Sequence, residues 1–487
     1  MSPRLRVLVA IASFGTKNDR YLLRAVEEYR SMSFDIDIVV VSNLHKQVPS
    51  GVEVVVVDLS GANPWTLPFA HKEILATRLN DYDLFVYSED DTLITERNLV
   101  AFLEVSAALP ENELVGFLRF EEGPDRKRHF PDVHDHFHWD PSSLRSRGNR
   151  KFAVFTNEHS ACYVLTRQQL RRAVDSGGFL VRPHCEGKYL LLETAATDPY
   201  TQCGFKKLIC ISQIEDFLVH HLPDKYVGMA FGVSESELVR QVNALLQIAN
   251  NVHAPASLFQ TETNLRHASY SKNYYEPVRP DVVSAIPSCV QSVLSLGCGW
   301  GATEKWLSEK GIRVVAIPID PVIPGGAKAG NIDIICADFQ TARQKLASDR
   351  FDCLLVPNVL HLVPDPIDVL ASFRSLLSDG GVAILVVPNV SRLVTYWRTI
   401  SRNGSLKLFG GYGRTGVQLT SHRTVRHWLR SAGMVPVNIA HVLTAQARVA
   451  GRFTLGLTDR LLCSEFIAVA RNCEAHSFRG QRIDGQA

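Results

Sequence analysis

The sequence has no pair of cysteines in a C-x-x-C spacing, although it contains ten cysteines in 487 residues. Several of them lie inside apolar runs, as Cys353 does in FDCLLVPNV. A scattered set of this kind is typical of buried free thiols in a reducing compartment and argues against a disulfide framework. The cysteines therefore predict a cytoplasmic protein.

The sequence also lacks an excess of charge of either sign, with 52 Lys and Arg against 50 Asp and Glu. Nucleic-acid binders normally carry a basic excess or stripe, so no nucleic-acid partner is expected. No apolar run approaches the ~18 residues of a membrane-spanning helix, so no integral membrane segment is expected. At roughly 150 residues per domain, the length predicts two large domains or three smaller ones.

The N-terminal part alternates short runs rich in β-branched residues with helical patterns. This alternation predicts an α/β domain built on a parallel sheet that is covered on both faces. Such a sheet binds its ligands at the carboxyl ends of its strands. The predicted strands lie at 6–14, 35–43, 52–59 and 81–91, and the predicted helices at 21–32 and 69–79.

Residues 122–150 interrupt this pattern with a polar stretch that is rich in His and Pro, which predicts a long surface loop. His134, His136 and His138 would share one face of an extended chain, as the ligands of a zinc site do. No cysteine accompanies them. We therefore favour a loop that binds an acceptor sugar, with the zinc site as the alternative.

In the C-terminal half, VLSLGCGWG (293–301) reads as a buried strand that runs into a glycine-rich turn, followed by the helical pattern ATEKWLSEK. The segments ICADF, FDCLLVPNVLHLVPDPIDVL and LLSDGGVAILVVPN follow in order between 335 and 389. Together they resemble the class I S-adenosylmethionine-dependent methyltransferases of the ubiquinone-biosynthesis type. The resemblance implies a Rossmann-like sheet and an S-adenosylmethionine site. The residues that it assigns to this site are Gly297, Cys298, Gly299, Gly301, Asp320, Asp338 and Asn358.

The chain departs from that family at two places. Pro318 stands where an acid normally binds the ribose hydroxyls, so Asp320 takes over that role or cofactor binding is weakened or lost. Asn358 and His361 stand where relatives often have acids. His361 is a candidate base for an acceptor hydroxyl, or alternatively a histidine packed beside the cofactor.

In the N-terminal half, LFVYSEDD (84–91) is an apolar strand that ends in three acids. Alone it could be a solvated acidic turn. The order of elements around it resembles glycosyltransferases of the GT-A fold, in which a D-x-D-type motif holds Mn²⁺ or Mg²⁺ against a nucleotide-sugar. The resemblance makes Asp91 the favoured direct metal ligand, and it places Glu89 at the metal through water or at the ribose. The residues that it places near the nucleotide-sugar are Ala12, Ser13, Phe14 and Asp90.

The same resemblance implies an acceptor base on a helix, followed by a strand and a metal-binding histidine. Glu193 is the favoured base, with Asp198 second. His221 is favoured over His220 as the third metal ligand. Glu215 and Asp216 form a competing acidic pair that lies too near these histidines for the expected order.

The sequence thus predicts a GT-A-like domain at 1–232, a helical linker at 233–272, a methyltransferase domain at 273–475 and a disordered tail at 476–487. The predicted enzyme transfers a sugar from a nucleotide-sugar to a glycan acceptor and then O-methylates the product. In one alternative the methyltransferase-like half is a non-catalytic binding module. In another the N-terminal half is a nucleotidyltransferase, although ASFGTKNDR is a poor version of the basic glycine-rich loop that this requires.

Overall fold

The computed structural model describes residues 4–229, 231–250, 259–325, 331–391, 411–443 and 459–472. The tail predicted at 476–487 and part of the predicted linker lie outside these ranges. Within them, no helix is both long and apolar enough to cross a bilayer.

The N-terminal half contains strands β1 to β14 and helices α1 to α6. The strands are β1 Arg6–Ser13, β2 Asp35–Ser42, β3 Val52–Val56, β4 Leu84–Glu89, β5 Thr92–Leu93, β6 Glu113–Val115, β7 Leu118–Glu122, β8 Arg128–Phe130, β9 Trp139–Arg147, β10 Arg150–Phe155, β11 Cys162–Thr166, β12 Lys206–Cys210, β13 Leu218–His221 and β14 Val233–Ser234. The helices are α1 Asp19–Ser31, α2 Ala70–Thr77, α3 Glu96–Ser106, α4 Arg167–Asp175, α5 Leu191–Thr201 and α6 Glu235–Asn250.

The first sheet has the strand order β11-β4-β1-β2-β3. Strands β1 to β4 are parallel, and β11 pairs with β4 in the antiparallel direction, so the sheet is mixed rather than wholly parallel as the alternation predicted. Separate clusters of buried apolar side chains cover its two faces. The register pairs Ala12 with Glu89, which brings the end of β1 against the acidic end of β4.

The loop predicted at 122–150 is wrong. This segment contains β8 and the whole of β9, and β9 forms an antiparallel hairpin with β10. The inward positions of β9 alternate, but they are filled by Trp139, Pro141 and Ser143 rather than by a run of aliphatic side chains. The sequence therefore shows no strand pattern here, because β9 is stabilised by its pairing with β10 rather than by a row of aliphatic side chains. The smaller sheets have the orders β6-β12-β10-β9 and β14-β8-β7-β13-β5.

The C-terminal half contains strands β15 to β21 and helices α7 to α13. The strands are β15 Ser292–Cys298, β16 Arg313–Pro318, β17 Ile332–Ile334, β18 Phe351–Pro357, β19 Leu377–Pro388, β20 Met434–Val442 and β21 Glu465–Asn472. The helices are α7 Pro280–Ala285, α8 Ala302–Glu309, α9 Phe339–Lys345, α10 Pro366–Arg374, α11 Tyr412–Thr415, α12 His422–Ser431 and α13 Asp459–Leu462.

These strands form one sheet in the order β17-β16-β15-β18-β19-β21-β20. Its first five strands are parallel and β21 is antiparallel to both neighbours. The strand order reverses between β15 and β18, which makes the carboxyl ends of these two strands the expected ligand site of an open α/β sheet.

The predicted linker helix is α6, which packs on the N-terminal half through Leu238, Val242 and Leu245. Val322 of the C-terminal half joins the same buried cluster, and Arg240 donates to its carbonyl over 2.9 Å. Residues 259–276, called the strap below, then run between the two halves before α7 begins.

Candidate functional site

The acidic end of β4 is held by the end of β1 and the start of α1. Asp90 accepts a hydrogen bond from Ser13 Oγ at 2.6 Å and another from Asn18 Nδ2 at 2.8 Å. Its backbone amide donates to the carbonyl of Ala12. Asn18 also donates to Asp91 at 3.2 Å. Asp90 therefore fixes the turn, and Phe14 beside it is 52% exposed.

His221 lies between two carboxylates. Its Nε2 is 3.5 Å from Asp91 Oδ2, and its Nδ1 is 2.6 Å from Glu121 Oε1. Burial opposes charge on this imidazole, but the two carboxylates outweigh it and raise its pKa. His220, the alternative, points elsewhere and pairs with Asp224 at 2.9 Å.

Burial and the neighbouring charges shift the pKa values of Glu89, Asp90 and Asp91. Burial, with Asp91 close by, raises the pKa of Glu89 to about 8, and burial raises that of Asp90 to about 6. Burial also acts to raise the pKa of Asp91, yet the hydrogen bond and the charge of His221 hold it below its usual range. Arg119, paired with Asp132 at 2.6 Å, adds positive charge nearby. At neutral pH Asp91 is therefore ionised and Asp90 is largely ionised, whereas Glu89 is mostly protonated.

The donor set suits a hard divalent cation in part. The buried atoms Glu89 Oε1 and Asp91 Oδ1 have no hydrogen-bond partner, as oxygens reserved for a ligand would. However, no three His, Cys, Asp or Glu side chains in the described ranges converge closely enough to hold a metal ion. Asp91 and His221 would therefore supply two ligands, and phosphate oxygens or water would have to supply the others.

A cavity of about 330 Å³ adjoins this cluster. That volume lies at the lower end of the range of small-molecule sites, ~300–1,000 Å³. Arg119 and Tyr226 connect the two places, since both line the cavity and Tyr226 stacks on His221. The other lining residues are Pro131, Asp132, His134, His136, Phe137, Asn157, His159, Lys188, Leu190, Glu193, Phe231 and His267.

Glu193 lies in the wall of this cavity near the start of α5, where it accepts the Leu190 amide proton at 2.7 Å. Burial raises its pKa. Asp198 on the same helix is fully buried instead, in an ion pair with Lys72. The two candidate bases therefore differ: Glu193 lines the cavity, whereas Asp198 is buried in an ion pair and has a structural role.

The three histidines of segment 122–150, which was predicted to be a loop, do not converge on one point. His134 bonds to Asp135 at 3.0 Å, and His138 stacks on Tyr274 of the strap at 4.2 Å between ring centroids. Burial lowers the pKa of both His136 and His138 to about 4, which keeps them neutral. The zinc alternative therefore has no support here, while His134 and His136 do line the cavity.

Glu121, Arg119 and His159 are further residues of this site that the sequence motifs did not identify. Arg119 and Glu121 are two residues apart on β7, so they share one face of the strand, and an alternation count over LRFEE could have found them. His159 is 8% exposed and its Nδ1 has no partner, but no local pattern marks it.

In the C-terminal half, the glycine-rich turn forms at the carboxyl end of β15. Gly297 and Gly301 have φ of 77° and 83°, a conformation that requires glycine, and Cys298 between them is buried. Gly299 has a different role. A Cβ at this position would lie 2.4 Å from the carbonyl oxygen of Tyr274, so its missing side chain makes room for the strap.

The other residues expected at the cofactor are also engaged by the chain itself. Asp320 is 1% exposed and accepts the amide protons of Val322 and Ile323, and burial raises its pKa to about 6. Asp338 is exposed and caps α9. Asp320 uses Oδ1 for its bonds to Val322 and Ile323, and its buried Oδ2 has no hydrogen-bond partner among the described residues.

Asn358 and His361 lie at the end of β18. Asn358 donates to Glu276 at 2.9 Å and to Glu465 at 3.1 Å. His361 is 1% exposed, its Nε2 is bonded to the carbonyl of Tyr270, and burial lowers its pKa to about 4. A packed neutral histidine describes this residue better than an acceptor base.

The space left at the turn is small. The cleft lined by Gly299, Asn358 and Glu276 encloses about 20 Å³, little more than the ~10–15 Å³ that a single water needs. The residues present therefore do not accommodate S-adenosylmethionine in this conformation.

Residues 255–438 match the family model described as a methyltransferase domain. A ubiquinone biosynthesis O-methyltransferase from Xanthomonas axonopodis pv. citri is 23% identical over 212 residues, which cover 40% of this chain and 89% of that relative. One from Xanthomonas campestris pv. campestris is 30% identical over 121 residues, covering 23% of this chain and 50% of the relative. The C-terminal half therefore contains a class I, S-adenosylmethionine-dependent methyltransferase domain.

Among solved structures, an S-adenosylmethionine-dependent methyltransferase from Mesorhizobium loti resembles the chain with 16% identity and a TM-score of 0.29. The match covers 40% of this chain and 96% of that protein.

Proposed function

We propose that the chain is a two-domain transferase that joins a metal-dependent glycosyltransferase to an S-adenosylmethionine-dependent O-methyltransferase. The observation that carries the first half is the approach of His221 to Asp91, with Glu121 behind the imidazole. A carboxylate and a neutral imidazole suit a divalent cation such as Mn²⁺ or Mg²⁺. Their position at the carboxyl end of a mixed α/β sheet suits a nucleotide-sugar.

In the proposed sugar transfer, Ser13 and Asn18 hold the Asp90 turn, and Asp91 and His221 present their donor atoms beside it. A bound divalent cation would neutralise charge on the departing diphosphate. Glu193 takes the proton of the acceptor hydroxyl as the new glycosidic C–O bond forms and the bond to the diphosphate breaks. The raised pKa of this carboxyl matches that task.

The first half is tested by thermal shift with UDP, GDP and dTDP in the presence and absence of Mn²⁺. We expect the wild type to gain metal-dependent stability with one of them, and Asp91→Ala to lose the gain while still folding. Asp224→Ala, which removes the partner of His220, is the matched control. An Asp91→Ala variant with an unchanged shift would exclude this metal site.

The proposal of an oxygen acceptor in the second half is supported by its similarity to ubiquinone biosynthesis O-methyltransferases. Methyl transfer from a sulfonium needs little beyond alignment of the acceptor oxygen and exclusion of water. The test is incorporation of labelled methyl groups into the sugar-transfer product.

A specific observation favours the alternative of a non-catalytic module. Pro318 supplies no carboxylate, Asp320 bonds its own turn, and the cleft is filled. Calorimetry with S-adenosylhomocysteine separates the two functions, because a module without a cofactor site binds none under any condition.

A further inference from the structure

We propose that the strap, residues 259–276, closes the cofactor cleft of the methyltransferase domain and that the N-terminal half holds it there. Cofactor binding then requires release of the strap. The proposal rests on the assignment of the C-terminal half as a methyltransferase domain, but it is independent of sugar transfer.

The strap occupies the glycine-rich turn directly. The carbonyl of Tyr274 accepts the amide proton of Trp300 at 2.7 Å, and its oxygen lies 2.4 Å from the position that a Cβ of Gly299 would take. An oxygen seated on this turn takes both the amide donor and the open space that the glycine provides. A ligand that approaches the same backbone must displace it.

The strap also fills the neighbouring space with charge. Lys272 is fully buried, with its ammonium 2.6 Å from Glu276 and 2.8 Å from the carbonyl of Pro357. Glu276 in turn accepts from Asn358. This network links the strap to the end of β18, the second strand of the expected ligand site.

Near the start of the strap, Phe259 is 6% exposed and packs edge-to-face on Phe339 at 4.7 Å between centroids. Phe339 follows Asp338, a residue that the family resemblance assigns to the cofactor. The same segment therefore contacts both the glycine-rich turn and α9.

The outer side of the strap is bound to the N-terminal half. The amide of Tyr274 donates to the carbonyl of Asp135 at 2.7 Å, and the Tyr274 ring stacks on His138 with 6° between the ring planes. Glu262 lies 3.5 Å from Lys188. Asp135 and His138 of the histidine-rich segment 122–150 therefore hold the strap, a role that neither the zinc site nor the acceptor loop predicted.

The same strap forms part of the 330 Å³ cavity, because His267 lines it and donates its amide to the carbonyl of Gly187. His267, Ala268 and Tyr270 all have positive φ, a run of strain that only surrounding contacts can hold. One segment therefore contacts both the 330 Å³ cavity and the cofactor cleft.

The test is calorimetry with S-adenosylhomocysteine on the wild type and on the double variant His138→Ala/Glu262→Gln, which removes the ring stack and an ion pair but no residue of the cleft. We expect at least a tenfold tighter dissociation constant in the double variant. His45→Ala, at an exposed histidine, is the control and should match the wild type.

Hydrogen exchange provides the second measurement and needs no variant. The amides of Lys272 and Tyr274 should lose protection when S-adenosylhomocysteine binds to the wild type. If the wild type and the double variant bind with equal affinity, or if binding leaves both amides protected, the strap does not block the cleft. In that case the methyltransferase domain still binds its cofactor, and only the proposed role of the strap is refuted. If neither the wild type nor any variant binds S-adenosylhomocysteine, the proposal is also refuted, and the domain has no cofactor site.

Discussion

Glu121 Oε1 lies 2.6 Å from His221 Nδ1, and both side chains are buried. A carboxylate at this distance keeps the proton on Nδ1 and turns the lone pair of Nε2 towards Asp91. Metal-binding histidines are commonly oriented in this way by a second carboxylate. The pair explains how His221, whose pKa the two carboxylates raise, is held with Nε2 towards Asp91, where loss of the Nε2 proton leaves a metal ligand.

Glu121→Gln should weaken Mn²⁺-dependent binding of the preferred nucleoside diphosphate by ~10–100-fold. The neutral amide no longer raises the basicity of the imidazole, and it cannot accept from both His221 Nδ1 and the Tyr226 amide through two oxygens. Calorimetry at fixed Mn²⁺ measures the change. The neighbouring Glu122 is exposed, so Glu122→Gln should bind like the wild type. Equal affinities for both variants would show that Glu121 only fills space.

Glu193→Gln should retain Mn²⁺-dependent nucleotide binding and lose transfer to the acceptor. The amide oxygen can still accept the Leu190 amide proton, so the start of α5 stays capped. Loss of a general base typically lowers the rate by ~10²–10⁴-fold. Donor binding by thermal shift and transfer by product analysis are measured on the same preparation, with the exposed Glu186→Gln as control. Transfer at the wild-type rate would move the base to another residue.

Lys72→Met should destabilise the fold by ~3–5 kcal/mol, because Asp198 is left as an uncompensated buried charge. Lys72→Met/Asp198→Leu should regain most of this stability, which chemical denaturation can measure. Arg78 and Glu53 form an exposed pair, and Arg78→Met should cost at most ~1 kcal/mol. A double variant as unstable as the single one would contradict a purely structural ion pair.

Acidification should destabilise the protein between about pH 6.5 and pH 4, in part through His361. Burial lowers the pKa of this histidine to about 4 in the folded chain, while the unfolded chain takes up its proton near 6.5. The unfolded state therefore binds more protons in this window, and stability falls as the pH falls, by up to ~3 kcal/mol for one group. In His361→Gln, which keeps a donor for the Tyr270 carbonyl, the pH dependence of unfolding should flatten. An unchanged slope would assign the loss to other groups.

Gly299→Ala should destabilise the C-terminal half by ~1–3 kcal/mol, because its Cβ would lie 2.4 Å from the Tyr274 carbonyl oxygen. Gly413→Ala is a matched control, since a Cβ there meets no atom within 4 Å. Denaturant melts of both variants compare the two sites. Equal stabilities would mean that the strap does not rest on the turn.

Much of the architecture could be predicted from the sequence, because alternating apolar runs and glycine punctuation are local signals. They located β1, β2 and β4 and the helices between them, and they identified the methyltransferase domain that the family model matches. β9 escaped, because its inward residues are mostly polar or small and the hairpin forms through pairing with β10.

The sequence by itself determined which groups lie at strand ends, since Glu89 to Asp91 follow an apolar strand and Gly297 to Gly301 follow another. Only the tertiary structure decided what those groups face. It brought Glu121 to His221 across 100 residues, paired Asp198 with Lys72, and laid Tyr274 on Gly299. These contacts join residues far apart in the chain, and their energy comes from desolvation and close packing, which no local pattern encodes.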